Sequence, residues 1–256
     1  KGPVLAIWSG FVPLGFAVSD FLALAMLPSL EPPAYLLTMA LAFLAFAAGA
    51  LLVLRCFPLA AAARNAGRLT ATLSPRIVLL AASFGAFVVL SVSMFTLMPA
   101  FIAGEGAHYL VSAGAIAVSV PLGNVLAGVL VRGRGPGWMA GLSIFGFAVG
   151  AVAAVPAFTL ADPVFATLSA LALAVSGALV ASAQFAAIPF VIPRAGSVPV
   201  AIGLVAQAGG IGTVFGPPVA AAVVEAAGWA GFGWFLAAVS VAGLGCMLPL
   251  VRTRTD

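Results

Sequence analysis

The sequence predicts an all-α integral membrane protein of about eight spanning helices, and three observations carry that prediction. Hydrophobic residues make up 64% of the chain and charged residues 6%, with a mean hydropathy of +1.28, whereas soluble domains carry roughly a quarter charged residues. Several apolar runs exceed the ~20 residues that cross a bilayer core. Basic residues fall in alternate breaks between those runs. Backbone groups in lipid are satisfied only within helices or closed barrels. These runs are apolar on all faces, not alternating segments of about ten residues, so helices are expected.

In chain order the runs cover Val4 to Pro28, Pro33 to Phe57, Arg76 to Ala103 and Ala107 to Val131. Gly137 to Pro156, Pro163 to Ile188, Val198 to Ala226 and Trp229 to Val251 follow. The expected organisation is a pair of helices over 1–57, a linker over 58–75 and a six-helix bundle over 76–256. The linker is Ala-rich, with Arg64 and Arg68 one turn apart and then Thr70, Thr72 and Ser74. A short surface helix near anionic headgroups and a plain hinge both fit it.

Short cytoplasmic loops carry excess Lys and Arg, and acids contribute little to orientation. Lys1, the group Arg55, Arg64, Arg68 and Arg76, then Arg132 with Arg134, Arg194, and Arg252 with Arg254 mark alternate breaks. Glu31, Glu105, Asp162 and Glu225 fall in or beside the others. Both termini are therefore expected in the cytoplasm, with a bacterial inner (plasma) membrane as the setting. The pI near 9.8 follows from this topology and not from nucleic-acid binding, because the basic residues occur singly or in close pairs without stacking aromatics. Cys56 and Cys246 lack metal-ligand spacing and read as packing residues. Residue 1 is Lys, and the first run has no small-residue cleavage pattern, so a spanning segment of a truncated chain is expected there and not a signal peptide.

An internal repeat connects the two ends. Ala6-Ile7 followed by Gly15 recurs as Ala201-Ile202 followed by Gly210, and Cys56-Phe57-Pro58-Leu59 has a counterpart in Cys246-Met247-Leu248-Pro249-Leu250. Parallel repeats of a helix bundle are a transporter signature. Two motifs sharpen this: Gly128-Val-Leu-Val-Arg132-Gly-Arg134-Gly135 between two spans, and Gly209-Gly210-Ile-Gly212-x-x-x-Gly216-Pro217-Pro218-x-Ala220 within another. With them the chain resembles the major facilitator superfamily, built from two six-helix halves. The resemblance covers essentially the whole chain and implies an MFS-like bundle holding the family's helices five to twelve, the first four being absent. In the loop motif Arg132 stands at the family's Asp position, Gly133 at the next Arg and Pro136 at the final Arg, so its acid-to-helix latch does not carry over. Pro13-Leu14-Gly15 lacks the Gly-Pro pair of the family's antiporter motif.

Asp20 is the sharpest functional candidate. It lies about 15 Å along a helix from Glu31, and carboxylates within spans usually face water or a bundle interior; an early helix end would make it a wet vestibule acid instead. His108, Ser112 and Ser119 share a helical stripe if the fourth span begins at Ala107, and an imidazole can relay protons, so His108 joins Asp20 as a proton-coupling candidate. Gln184, Gln207, Ser83 and Ser176 complete the substrate-pathway candidates with Asp20; amides and hydroxyls bind polar solutes and equally cross-link helices. Asn124 is expected in an interhelical hydrogen bond. Arg132 and Arg134 are the candidate cytoplasmic gating loop. Gly137, Gly141, Gly146, Gly150, Gly209, Gly212 and Gly216 are assigned to helix packing by small-xxx-small spacing or by the glycine motif.

The resulting expectation is a secondary active transporter of a small, neutral or amphiphilic solute working by alternating access, with proton coupling left open. Its partners are the lipid bilayer, the solute and, if coupled, protons. No cofactor, metal site or catalytic residue is expected: the sequence has no His-Glu-x-x-His, no paired intramembrane acids and no Ser-His arrangement. A membrane-embedded enzyme and a non-transporting scaffold are the alternatives.

Overall fold

A computed structural model describes residues 30–56, 69–106 and 108–251, with scattered positions between Gly15 and Met26. Among the described residues there are helices and no strands. They comprise α1 (Pro32–Cys56), α2 (Leu69–Thr72), α3 (Pro75–Ala103), α4 (Ala113–Leu130), α5 (Pro136–Thr159), α6 (Pro163–Val191) and a final stretch, Val198–Val251. That stretch is 54 residues long, about 81 Å as one rod, far beyond a ~30 Å hydrocarbon core. It is broken at Gly228, whose φ of 67° and ψ of −173° are non-helical; positive φ favours glycine, which has no Cβ to clash. The break separates α7 (198–227) from α8 (229–251). Most of the run before α1, Asp20 included, lies outside the described residues, as do residues 57–68 of the expected linker.

Two compact units are distinguished, one holding α1 and the other residues 69–251. By itself, α1 is a 25-residue apolar helix with Arg55 in its last turn, where a cation complements the helix dipole.

Local chemistry sets the starts of the other helices. Ser74 accepts a hydrogen bond from the Ile77 amide with Pro75 at the first helical position of α3. Asp162 accepts from the amides of Val164 and Phe165, at 3.0 and 2.9 Å, with Pro163 opening α6. Such caps contribute about 1 kcal/mol each, and the Asp162 carboxylate also faces the positive end of the helix dipole. Ser112 caps α4 through the Ala115 amide.

Interhelical contacts fix the directions. Gly212 and Gly216 of α7 lie against Gly85 and Val89 of α3 in parallel register, and Gly123 and Asn124 of α4 lie against Ala178 and Ser182 of α6 in parallel register. Antiparallel pairs form where Gly146 of α5 meets Val180 and Ser176 of α6, and where Gly233 and Gly243 of α8 meet Ala154 and Phe147 of α5. The helices of this unit therefore alternate up and down. Arg76, Arg132, Arg134 and Arg194 fall at one end, and Glu105, Asp162 and Glu225 at the other.

The acidic end is closed by aromatic rings. Phe101 packs 5.0 Å from both Phe158 and Trp229, and Phe158 lies 4.8 Å from Phe232. Towards the basic end the core is built from Phe84, Phe87, Phe147 and Phe185. Outside, Val152, Val129, Val214 and Trp234 are each at least 65% exposed. The surface is more apolar than parts of the interior, the reverse of a water-soluble protein. Six of the described helical stretches, with 198–251 counted as one, are long and apolar enough to cross a membrane. This is an integral membrane helical bundle.

Candidate functional site

Among the described residues the buried polar groups are hydroxyls plus the amides of Asn124 and Gln184, and none carries a charge. Two of the substrate-pathway candidates meet. Gln184 of α6, fully buried, donates from Nε2 to Ser83 Oγ of α3 at 2.7 Å, and Ser83 in turn donates to the Gly243 carbonyl of α8 at 2.9 Å. Ser83 thereby ties three helices, about a third of the way along α3 from the basic end. Gly243 has no Cβ because the Phe147 ring edge would lie 2.5 Å from it. Gln184 Oε1 has no hydrogen-bond partner, nor have Ser143 Oγ and Ser93 Oγ, all fully buried.

Ser176 belongs to a different level. Its hydroxyl and that of Ser240 each bond to their own helix, to the carbonyls of Leu173 and Leu236. They flank Gly150, where a Cβ would sit 3.4 Å from Ser176 Oγ and 3.3 Å from Ser240 Oγ. A small cleft there is lined by Phe87, Leu90, Phe147 and Gly177 together with these serines. A third polar tie joins α6 to α4, where Ser182 donates to Asn124 Oδ1 at 2.7 Å, the interhelical bond expected of Asn124.

Gln207 lies apart from these groups, exposed on α7. His108 is not on a helical stripe with Ser112 and Ser119. The fourth span begins at Ala113 and not at Ala107, because Ser112 caps it and residues 104–106 turn back on Phe101. His108 Nε2 instead lies 3.1 Å from the Leu160 carbonyl in the loop between α5 and α6. Beside it Tyr109 donates its hydroxyl to the Ala157 carbonyl, and burial pushes the Tyr109 phenol above its ordinary range. Ser119 bonds to its own helix at the Ile116 carbonyl.

The candidate gating loop is a tight turn at the basic end. Gly133 adopts a φ of 69°, and the Arg132 and Arg134 amides donate to the carbonyls of Val129 and Val131. Arg134 stacks its guanidinium 5.0 Å from the ring centroid of Trp138, whose indole N–H donates to the Leu130 carbonyl at 3.0 Å.

The glycines divide. At Gly146, Gly209 and Gly212 a Cβ would come within 2.8 Å of a neighbouring helix, and at Gly216 within 3.1 Å; Gly150 sits in the serine layer. Gly137 and Gly141 have open space around them instead, so within the described residues they pack against nothing. Their i, i+4 spacing allows a close approach that no described helix makes. Gly85, Gly123, Gly233 and Gly243 also make close contacts, though none of them belongs to a glycine pair legible in the sequence.

Among the described residues no three of His, Cys, Asp and Glu converge to hold a metal. An interior of hydroxyls and amides can hydrogen-bond a neutral polar group and exchange partners, and it offers no acid or base. A scan against protein-family models and a comparison with curated proteins returned no match to this chain.

Proposed function

We propose that this protein is a secondary active carrier of a small neutral or amphiphilic solute, with the alternating-access architecture of the major facilitator superfamily. The observation that carries the reading is a membrane bundle whose helices meet along glycine seams and whose buried polar side chains, among the described residues, are uncharged hydrogen-bonding groups. Glycine seams present smooth backbone surfaces along which helices shift with little side-chain interlocking. Uncharged groups accept a neutral ligand without the desolvation cost of a buried ion. The sequence repeat and the glycine motif of α7 add the family resemblance. In this reading α1 corresponds to the family's sixth helix and α3 to α8 to its seventh to twelfth. The basic end faces the cytoplasm of a bacterial inner membrane, as loop charge requires.

Asp20 is proposed as the coupling residue, being the only acid well inside an apolar run. Uptake of a panel of neutral and amphiphilic solutes into proteoliposomes, with and without an imposed pH gradient, tests both parts. Gradient-driven accumulation lost in Asp20→Asn is expected. Uptake indifferent to gradient and substitution would retire proton coupling and leave a facilitator, and no uptake of any solute would count against transport.

A further inference from the structure

We propose that the α4–α5 turn binds the phosphate-bearing headgroup of an anionic phospholipid, with an acyl chain lying on the Gly137/Gly141 side of α5. Three features of the turn point to this ligand, and the inference holds whether or not the bundle carries a solute.

The first is a prepared cation. Trp138 is pinned by its hydrogen bond to Leu130, and Arg134 lies over its face. Stacking holds the guanidinium while leaving the N–H edge that pairs with phosphate oxygens unobstructed. Arg132 stands two residues away across the Gly133 turn, and both arginines are exposed.

The second is charge without compensation. No described acid of this unit lies at this end, since Glu105, Asp162 and Glu225 fall at the other. A phosphate is the missing counter-charge. A half-exposed Trp beside basic residues is also the side-chain set that occupies the headgroup level of a bilayer.

The third is space. Gly137 and Gly141 lie one turn apart on an exposed side of α5, with nothing within 4 Å of where a Cβ would be. Trp138 and Phe145 are exposed on the same helix, at 47% and 58%. Two glycines in a spanning helix weaken it and here gain no helix partner among the described residues; the bare strip of backbone they leave, beside the exposed Trp138 and Phe145, suits a chain of methylenes. The strip favours a lipid over free phosphate, because a soluble anion gains nothing from it.

The test is native mass spectrometry of the purified protein with phosphatidylglycerol or phosphatidylcholine of identical acyl chains. The expected result is preferential retention of phosphatidylglycerol, reduced about tenfold in Arg132→Gln/Arg134→Gln and about threefold in Trp138→Phe. Gly141→Phe, which puts a ring on the bare strip, should also weaken retention. Arg194→Gln, an exposed arginine at the same end without a stacked ring, should change it less than twofold, and millimolar inorganic phosphate should not displace the lipid. Equal retention of the two lipids, an unchanged double variant, or equal loss in Arg194→Gln would overturn the proposal. Displacement by inorganic phosphate would overturn it in favour of a free-anion site. Unaltered thermal unfolding of Trp138→Phe keeps its result interpretable should the double variant fold poorly.

Discussion

Two stretches of the bundle carry the same glycine spacing and use it in opposite ways. At Gly212 and Gly216, α7 lies on α3 so closely that a Cβ on Gly212 would fall 2.8 Å from the Gly85 carbonyl oxygen. At Gly137 and Gly141, α5 meets open space. The difference teaches that small-xxx-small spacing permits close approach but does not cause it. The approach occurs where the facing helix also offers a gap, as α3 does with Gly85. Packing in lipid draws on van der Waals contact and interhelical hydrogen bonds, not on a hydrophobic drive between helices, so complementary surfaces decide.

The largest expected effect breaks the closed seam. Gly212→Leu forces α7 off the α3 backbone, and overpacking of this kind costs about 1–3 kcal/mol or more; loss of the cooperative unfolding transition in detergent, or a large fall in its midpoint, is the readout. The matched Gly141→Leu should not lower the midpoint and should raise it by up to about 1 kcal/mol, since the position is open and leucine is the better helix former. Equal effects at the two sites would dissolve the distinction.

The next effect contrasts two partners of one polar tie. Ser83→Ala strands the Gln184 amide N–H, while the Gly243 carbonyl keeps its bond within α8, and a stranded buried group costs about 1–3 kcal/mol. Gln184→Leu removes an acceptor that already lacks a partner and leaves the Ser83 to Gly243 bond in place, so its penalty should be smaller. Thermal unfolding of the two variants orders them, and the reverse order would contradict the assigned bonding.

A smaller effect probes the acidic end. With Tyr35→Phe, Tyr109 is the only tyrosine left in the chain. An exposed phenol with a pKa of about 10 is about 90% ionised at pH 11, whereas burial raises Tyr109 above that range. Its phenolate absorbance should be largely missing at pH 11. Because the folded pKa is raised, the folded state disfavours the phenolate, and stability should fall as pH climbs through the unfolded value near 10. Ordinary ionisation of Tyr109 in the folded protein would show that its hydroxyl is not held against Ala157.

Much of this architecture is legible in the chain because membrane physics is severe. Charge scarcity and run length mark the spans. Pro75 and Pro163 behind Ser74 and Asp162 announce two helix starts to within a residue. The start of α4 is hidden, because after the break at Glu105 the stretch 107–112 runs on into the apolar span without a Pro or Gly, and only the turn of residues 104–106 onto Phe101 and the Ser112 cap reveal the loop. The site is less legible than the fold. Gln184 and Ser83 stand out singly as polar residues within spans, but their bond joins residues 101 apart in sequence, a distance no local pattern bridges. Gly85 and Gly243 carry no motif, and their use depends on which neighbour lies opposite. Gln207 reads like Gln184 in sequence and is exposed, because the rotation of α7 is set by the α3 seam.

The claim that this bundle is a carrier is tested most directly by solute counterflow. Liposomes containing the purified protein are preloaded with unlabelled solute, diluted into a trace of the labelled form, and followed for a transient overshoot across a panel of neutral and amphiphilic solutes. Alternating access predicts an overshoot for at least one solute, dependent on the protein and absent from empty liposomes. Folded protein that gives no counterflow with any solute in the panel would contradict the carrier assignment and leave a membrane bundle with a structural role.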